Sequence, residues 1–321
     1  MFKQSPSRCG YGALTARFRR PRLLIVGCGD IGLRVARLLS QSGSGANTSA
    51  SPRCRFVIRA LTSSPSRIPH LRAQGITPLS GDLDQRQTLF RLAGLATHVL
   101  HLAPPSGKAP DAFDRRTRNL VGVLRNRRAP KLAYVSTTAV YGDAAGAWID
   151  ETSPPRATLD RAFRRLDAER VVRDYGRNGS ARSSILRVPG IYAPDREGGT
   201  PRNRLLKGLP ALDATDDVYT SHIHADDLAR SLIAALFRGA NQRIYNACDD
   251  TELRMGDYFD LAADLYGLPR PPRLSREQAR EALSPLQMSY MNESRRLRNV
   301  RLKRELGIRL WYPTVAAGLV R

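Results

Sequence analysis

The first regular element suggested by the chain is four consecutive apolar residues, Leu23-Leu24-Ile25-Val26. A glycine-rich segment follows, Gly27-Cys28-Gly29-Asp30-Ile31-Gly32. Apolar positions then return at helical spacing: Leu33, Val35, Ala36, Leu38 and Leu39. The pattern predicts a buried strand, a tight turn and a helix. Strand and helix periods keep alternating beyond it. Strands are predicted at 55–61, 76–79, 98–103, 132–136 and 184–188, with Pro104-Pro105 stopping the third of these. Helices are predicted at 117–127 and 159–175. Strands interleaved with helices predict an α/β fold with a doubly wound parallel sheet, covered on both faces. Beyond Pro189 the pattern loosens into short elements, prolines and glycines. Helices are expected there at 226–237, 257–266, 276–282 and 295–306. The expected division is a basic tail at 1–20, a sheet domain at 21–188 and a smaller lobe at 189–321. A Ser/Gly/Asn/Thr-rich flexible loop at 40–54 interrupts the sheet domain, and the smaller lobe is partly interleaved with the main sheet.

Three glycines at a strand-to-helix junction suit phosphate chemistry. Gly27 allows the sharp turn, and Gly29 lacks a Cβ, so backbone can approach a pyrophosphate. Gly32 lets the helix pack close to the strand, and the helix N-terminus aims free N–H groups at the phosphates. This is the Rossmann arrangement for a dinucleotide; a glycine-rich turn in another α/β protein is the competing reading. In an NAD-binding unit an acidic side chain near the end of the second strand bonds the ribose hydroxyls. No Asp or Glu lies between Asp30 and Asp82 here. The stretch instead holds Arg59, Thr62 and Arg67. Hydroxyls and arginines suit a 2′-phosphate, which a carboxylate would repel, so NADP is expected rather than NAD. The rival reading is that these arginines are merely solvated.

The composition, 41% hydrophobic and 25% charged over 321 residues, is that of a soluble globular protein. No apolar run approaches a membrane span, and the first 20 residues lack the apolar core of a secretory signal. Cys9, Cys28, Cys54 and Cys248 are scattered without metal-ligand spacing. They fit a reducing cytoplasm and no metal site, with Cys28 a small turn residue. The net charge of +23 raises nucleic-acid binding. Only five of the 52 basic residues are lysine, and the arginines spread along the whole length without a nucleic-acid-reading motif. Weak, salt-sensitive polyanion binding is the expectation, not specific recognition.

Further segments extend the glycine turn: Gly81-Asp82-Leu83, His101-Leu102-Ala103-Pro104-Pro105, and Val135-Ser136-Thr137-Thr138-Ala139-Val140-Tyr141-Gly142-Asp143. Leu186 to Pro194, Ser221 to Ala229, Asn299 to Gly307 and Tyr312-Pro313 follow in order. With these the chain resembles the extended short-chain dehydrogenase/reductases, the NAD(P)-dependent epimerase/dehydratase family, from about residue 21 onward. The resemblance implies that Gly27, Gly29, Asp30, Ile31 and Gly32, with Cys28 between them, meet the pyrophosphate. It implies that Asp82 and Leu83 border the adenine, and that Ala103 and Pro104 line the nicotinamide ribose. It places Pro189 beside the nicotinamide and Thr137 where the family has its catalytic Ser/Thr. It also implies a small polar substrate, a nucleoside-diphosphate sugar among the candidates, and pairing of two copies through a four-helix interface.

Departures from the family pattern concern the chemistry. The usual Tyr-x-x-x-Lys of the helix after Val-Tyr-Gly is replaced by Arg161 and Arg165. Arginine stays protonated and cannot take the tyrosine's acid/base part. Asp114 stands where the family has an Asn. Asp114, as a base of raised pKa, and Tyr141, as an acid, are the candidate substitutes. Arg161 and Arg165, four apart on one helical face, are candidates to clamp a carboxylate or phosphate. His222, His224, Asp226 and Asp227 resemble a metal cluster, but Asp226 or Asp227 as a helix cap is the preferred account. Asp213, Asp216 and Asp217 are expected to be solvated, and Trp148 and Trp311 to pack. The reading is a cytoplasmic NADP-binding oxidoreductase or epimerase. The alternative is a non-catalytic NADP(H)-binding redox sensor.

Overall fold

The structure, a computed structural model, describes residues 20–41, 56–106, 112–125, 129–177 and 181–320. The expected tail (Arg20 apart), most of the expected 40–54 loop, Cys9 and Cys54 lie outside these residues. The regular elements that build the main layer are β1 (Arg22–Val26), α1 (Asp30–Gln41), β2 (Val57–Thr62), α2 (Ile68–Ala73), β3 (Thr77–Ser80) and β4 (His98–His101). Then come α3 (Arg115–Leu124), β5 (Lys131–Thr137), α4 (Asp160–Arg177), β6 (Arg182–Val188), α5 (Ala225–Arg238), β7 (Arg243–Asn246) and α6 (Met255–Tyr266). The seven strands form one parallel sheet in the order β7-β6-β5-β4-β1-β2-β3. Chain order reverses across β1 and β4, which opens a crevice at their carboxyl ends.

Alternation along β1 divides the core. Leu23 and Ile25 face a layer holding Val35 of α1 and Leu228 and Leu232 of α5. Leu24 and Val26 face the opposite layer, with Leu120 of α3 and Val172 of α4. A third apolar cluster, including Leu212, Tyr258, Phe259 and Met288, supports the C-terminal lobe. Helices Arg276–Ala282 and Pro285–Tyr290 sit there, each started by a Ser/Gln capping box.

Several predicted boundaries move for identifiable reasons. The helix expected from 117 begins at Arg115, because Asp114 caps it, accepting from the Arg116 amide at 3.0 Å. The helix expected at 295–306 is only Val300–Arg304. Its first residues instead form a strand, Arg296–Leu297, paired with Trp148–Ile149. β7 has no counterpart among the predicted strands. Its four residues carry no strand-like run, and pairing with β6 makes the strand.

Charge ties the lobe to the sheet. The Arg34 side chain is only 4% exposed and holds Asp30 at 3.0 Å, Asp195 at 2.6 Å and Asp226 at 2.6 Å. One guanidinium thus joins α1, the 195 loop and the first turn of α5. A second buried pair lies under α4, where Arg187 meets Glu169 through Nε at 3.0 Å and Nη2 at 2.7 Å. Glu169→Ala strands that guanidinium and should cost about 3–5 kcal/mol in urea denaturation. The apolar double replacement Glu169→Leu with Arg187→Met should cost far less.

Asp249 is buried just after β7, and its amide donates to the His222 carbonyl at 2.8 Å. Burial pushes its carboxyl up to about 7 and pushes the His222 imidazole down to about 4. Between the unfolded carboxyl value and about 7 the folded chain keeps a proton at Asp249 that the unfolded chain releases. That contribution to stability falls as pH rises. His222 acts oppositely: below 6.5 the unfolded chain takes up the proton that the folded chain refuses, so its contribution rises with pH. Asp249→Asn removes the falling component. Its stability should climb more steeply from about pH 4.5 to 6.5 than the wild type's, by up to about 1.4 kcal/mol per pH unit. Urea titrations across that range check this, and an unchanged slope would refute it.

Candidate active site

Gly27 ends β1 with φ +84°, and a Cβ there would lie 2.5 Å from the Ala103 amide nitrogen. The Val26 carbonyl accepts from both Leu102 N (2.8 Å) and Ala103 N (3.1 Å), drawing the end of β4 against the turn. Only glycine fits this approach. At Gly32 a Cβ would meet Ile25 Cγ2 at 3.1 Å and Cys28 Sγ at 3.2 Å, so α1 lies tight on β1. At Gly29 a Cβ would meet nothing within 4 Å. The turn therefore leaves open backbone at the start of a helix.

This backbone borders a cleft of about 450 Å³. Of the residues singled out in the sequence, Gly27, Cys28, Gly29, Thr62, Arg67, Asp82, Leu83, Ala103 and Pro104 line it. Arg67 is fixed at the rim by donating to the Cys28 carbonyl at 2.8 Å. Burial pushes the Cys28 thiol up to about 11, so it stays a neutral turn residue. Asp30, Ile31, Gly32 and Arg59 do not line the cleft. Asp30 spends its carboxylate on Arg34 and on Arg196 at 3.1 Å, and Ile31 packs on the core. Arg59 sits two residues back from Leu61 on the same side of β2, with Nη1 buried. Sequence reasoning missed Arg116, which lines the cleft from α3. It is held by Asp84 at 2.9 and 2.7 Å and by the Pro104 carbonyl at 3.3 Å.

A second cavity of about 450 Å³ lies beyond the carboxyl ends of β5 and β6. Thr137, Pro189 and Arg161 line it, together with His222 and a set from the lobe: Arg204, Tyr258, Tyr290, Glu293 and Arg295. The lobe residues come from separate short elements, and no spacing in the sequence joins them. Thr137 Oγ1 accepts from the Ala139 amide at 3.3 Å. Arg161 donates to Ser289 Oγ at 3.3 Å and lies over the Tyr290 ring at 5.1 Å. Arg165 goes elsewhere, donating to Tyr134 OH at 3.0 Å and the Val135 carbonyl at 2.7 Å. The two arginines lie four residues, about 6 Å of helical rise, apart, and Arg165 does not line the cavity with Arg161.

Neither Asp114 nor Tyr141 lines either space. Asp114 is buried under α3. It accepts from Thr117 Oγ1 at 2.5 Å as well as from Arg116 N, while its own amide donates to Asp167 at 2.8 Å. Burial raises its pKa against those bonds. Tyr141 donates to Asn246 at 2.7 Å, carries Arg187 over its ring at 4.6 Å, and has its phenol pushed up to about 12 by burial. Both are held by hydrogen bonds inside the protein, away from the two spaces.

His224, not an aspartate, caps α5, its Nδ1 accepting from Asp226 N at 3.2 Å. Asp226 is taken by Arg34, and Asp227 accepts from the amides of Trp311 (2.9 Å) and Tyr312 (2.8 Å). Asp217 is buried rather than solvated and accepts from Gly256 N at 2.9 Å. Trp148 and Trp311 are exposed platforms, with Arg296 and Arg230 over their rings at 5.1 and 4.1 Å. Among the described residues no cluster of three or more His, Cys, Asp or Glu could hold a metal ion, and no helix is long and apolar enough to cross a membrane.

Comparison with known proteins agrees with this geometry. The chain is 25% identical over 295 residues to protein YeeZ of Escherichia coli, covering 91% of this chain and 96% of that one. It is 30% identical, with a TM-score of 0.73, to the structure of a conserved protein of unknown function from Silicibacter pomeroyi, covering 93% and 96% of the two chains. The dTDP-glucose 4,6-dehydratase DesIV of Streptomyces venezuelae, solved with NAD bound, shares the fold at 22% identity and a TM-score of 0.72, over 94% and 95%. The profile of the NAD dependent epimerase/dehydratase family matches residues 23–248. The chain belongs to that family.

Proposed function

We propose that this protein is an NADP(H)-dependent oxidoreductase or epimerase acting on a small polar metabolite, with a nucleoside-diphosphate sugar among the candidates. The reading includes a cytoplasmic location and pairing of two copies through α3 and α4. The observation that carries it is the open backbone at Gly29, at the start of α1 and beside the Ala103 approach. A pyrophosphate against those amides needs no side chain. The end of β2 offers Thr62, Ser63, Ser64 and Arg67 to the cleft and no carboxylate, which suits a 2′-phosphate. Gly27, Cys28, Gly29 and the backbone of Asp30, Ile31 and Gly32 would hold the pyrophosphate. Asp82 and Leu83 would border the adenine, Ala103 and Pro104 would line the nicotinamide ribose, and Pro189 would lie beside the nicotinamide. When bound there, NADP would supply hydride transfer to or from a carbon atom. Thr137 and Arg161 line the neighbouring cavity; Thr137 would offer a hydroxyl there, and Arg161 a fixed positive charge that orients an oxygen or an anion but gives up no proton.

The second reading is a non-catalytic NADP(H) sensor. Arg161 and Arg165 at the family's Tyr and Lys positions favour it. Slow consumption of NADPH with a panel of carbonyl compounds, abolished by Thr137→Ala, supports the enzyme. Tight NADPH binding without turnover on any of them supports the sensor.

Two substitutions test the cofactor assignment by fluorescence titration. Arg67→Ala should weaken NADPH by about ten-fold while leaving NADH nearly unchanged. Equal losses for both would overturn the choice of NADP. Gly29→Ala should leave the melting temperature nearly unchanged, since the new methyl meets no protein atom, yet weaken both nucleotides by about ten-fold or more.

A further inference from the structure

We propose that the cavity beyond Thr137 selects an acidic sugar, a polyhydroxylated compound whose carboxylate pairs with Arg161. The inference rests on reading that cavity as the substrate site. The two most deeply buried arginines have counterions: three carboxylates surround Arg34, and Glu169 faces Arg187. Two guanidiniums in the cavity wall pair with no carboxylate among the described residues. Arg161 has the Ser289 hydroxyl and the Tyr290 ring. Arg204 donates to the Pro210 carbonyl and stacks on Phe259 at 4.6 Å, and its Nε is buried without a partner. Burial holds the Arg204 guanidinium below the usual arginine range.

The cavity's own carboxylate does not answer these charges. Glu293 is bound to Arg295 at 2.7 Å, and burial keeps His222 neutral. The wall therefore carries two positive charges in excess. A partly desolvated guanidinium without a counterion is costly, and a ligand carboxylate supplies one through a forked, charge-assisted contact. The remaining polar lining is mostly hydroxyl, from Thr137, Thr138, Ser221, Tyr258 and Tyr290, which matches the hydroxyls of a sugar chain. Arg204 is left for a second anion, a carboxylate or a phosphate ester.

Isothermal titration calorimetry on the full chain, with and without NADPH, tests this with D-gluconate, neutral D-glucitol, D-glucarate and 6-phospho-D-gluconate. Gluconate should bind at least about ten-fold tighter than glucitol. Arg161→Gln should erase that preference while leaving the NADPH affinity and melting temperature unchanged. Arg204→Gln should erase the additional affinity of glucarate or of 6-phosphogluconate, and whichever of the two shows it identifies the second anion. Equal binding of acids and glucitol, or a preference that survives Arg161→Gln, would overturn the proposal. Acid selectivity without NADPH binding would defeat only the cofactor reading. NADPH binding without acid selectivity would defeat only this inference.

Discussion

The structure hinges on the contact between Gly27 and Ala103. The Val26 carbonyl takes two amides from the end of β4, and the chain can close on itself only because position 27 has no side chain. A methyl group there would push β4 away from β1 at the point where the strand order reverses. The cleft would lose its floor, since Gly29, Ala103 and Pro104 are positioned by the same approach. Close packing of α1 at Gly32 follows from the same geometry, and it aims the helix start at the cleft.

That part of the molecule was legible in the sequence because it depends on local rules. β1 and β5 each hold four consecutive apolar residues, and three glycines at fixed offsets have few other uses. What was hidden depends on partners distant in sequence. β7 is paired along β6, and its own signal is only Ile244 and Tyr245, too short a run to stand out. His224 becomes a cap because Arg34 takes Asp226 and the amides of Trp311 and Tyr312 take Asp227. Arg59 and Arg116 show the same limit. Spacing pointed to Arg59 for the cleft, but it sits two residues back from the cleft-lining Leu61 with its Nη1 buried, and the first turn of α3 delivers Arg116 instead.

The abundance of arginine also reads differently in three dimensions. Along the chain it suggests a polyanion surface. In the fold many of these side chains act as connectors: Arg34 joins the sheet to the lobe, Arg230 covers Trp311, and Arg238 closes the Leu306 carbonyl at 2.9 Å. A planar guanidinium can bond carboxylates, carbonyls and ring faces at once, which lysine cannot. Asp30 has a matching role, and its carboxylate faces Arg34 and Arg196 rather than the cleft.

The two arginines of α4 show how one residue type takes opposite parts a single turn apart. Arg165 lies level with β5, where the Tyr134 hydroxyl and the Val135 carbonyl accept its hydrogens. It is satisfied by the protein and asks nothing of a ligand. Arg161 projects past the strand ends into a cavity whose own acid is already neutralised. Its hydroxyl and aromatic neighbours orient the guanidinium without balancing its charge. Replacing a tyrosine by arginine at that position exchanges a group that can trade a proton for one that can only attract negative charge. In the proposed reading the consequence is a change in what the cavity discriminates: proton transfer would come from elsewhere, and the wall would attract an anion.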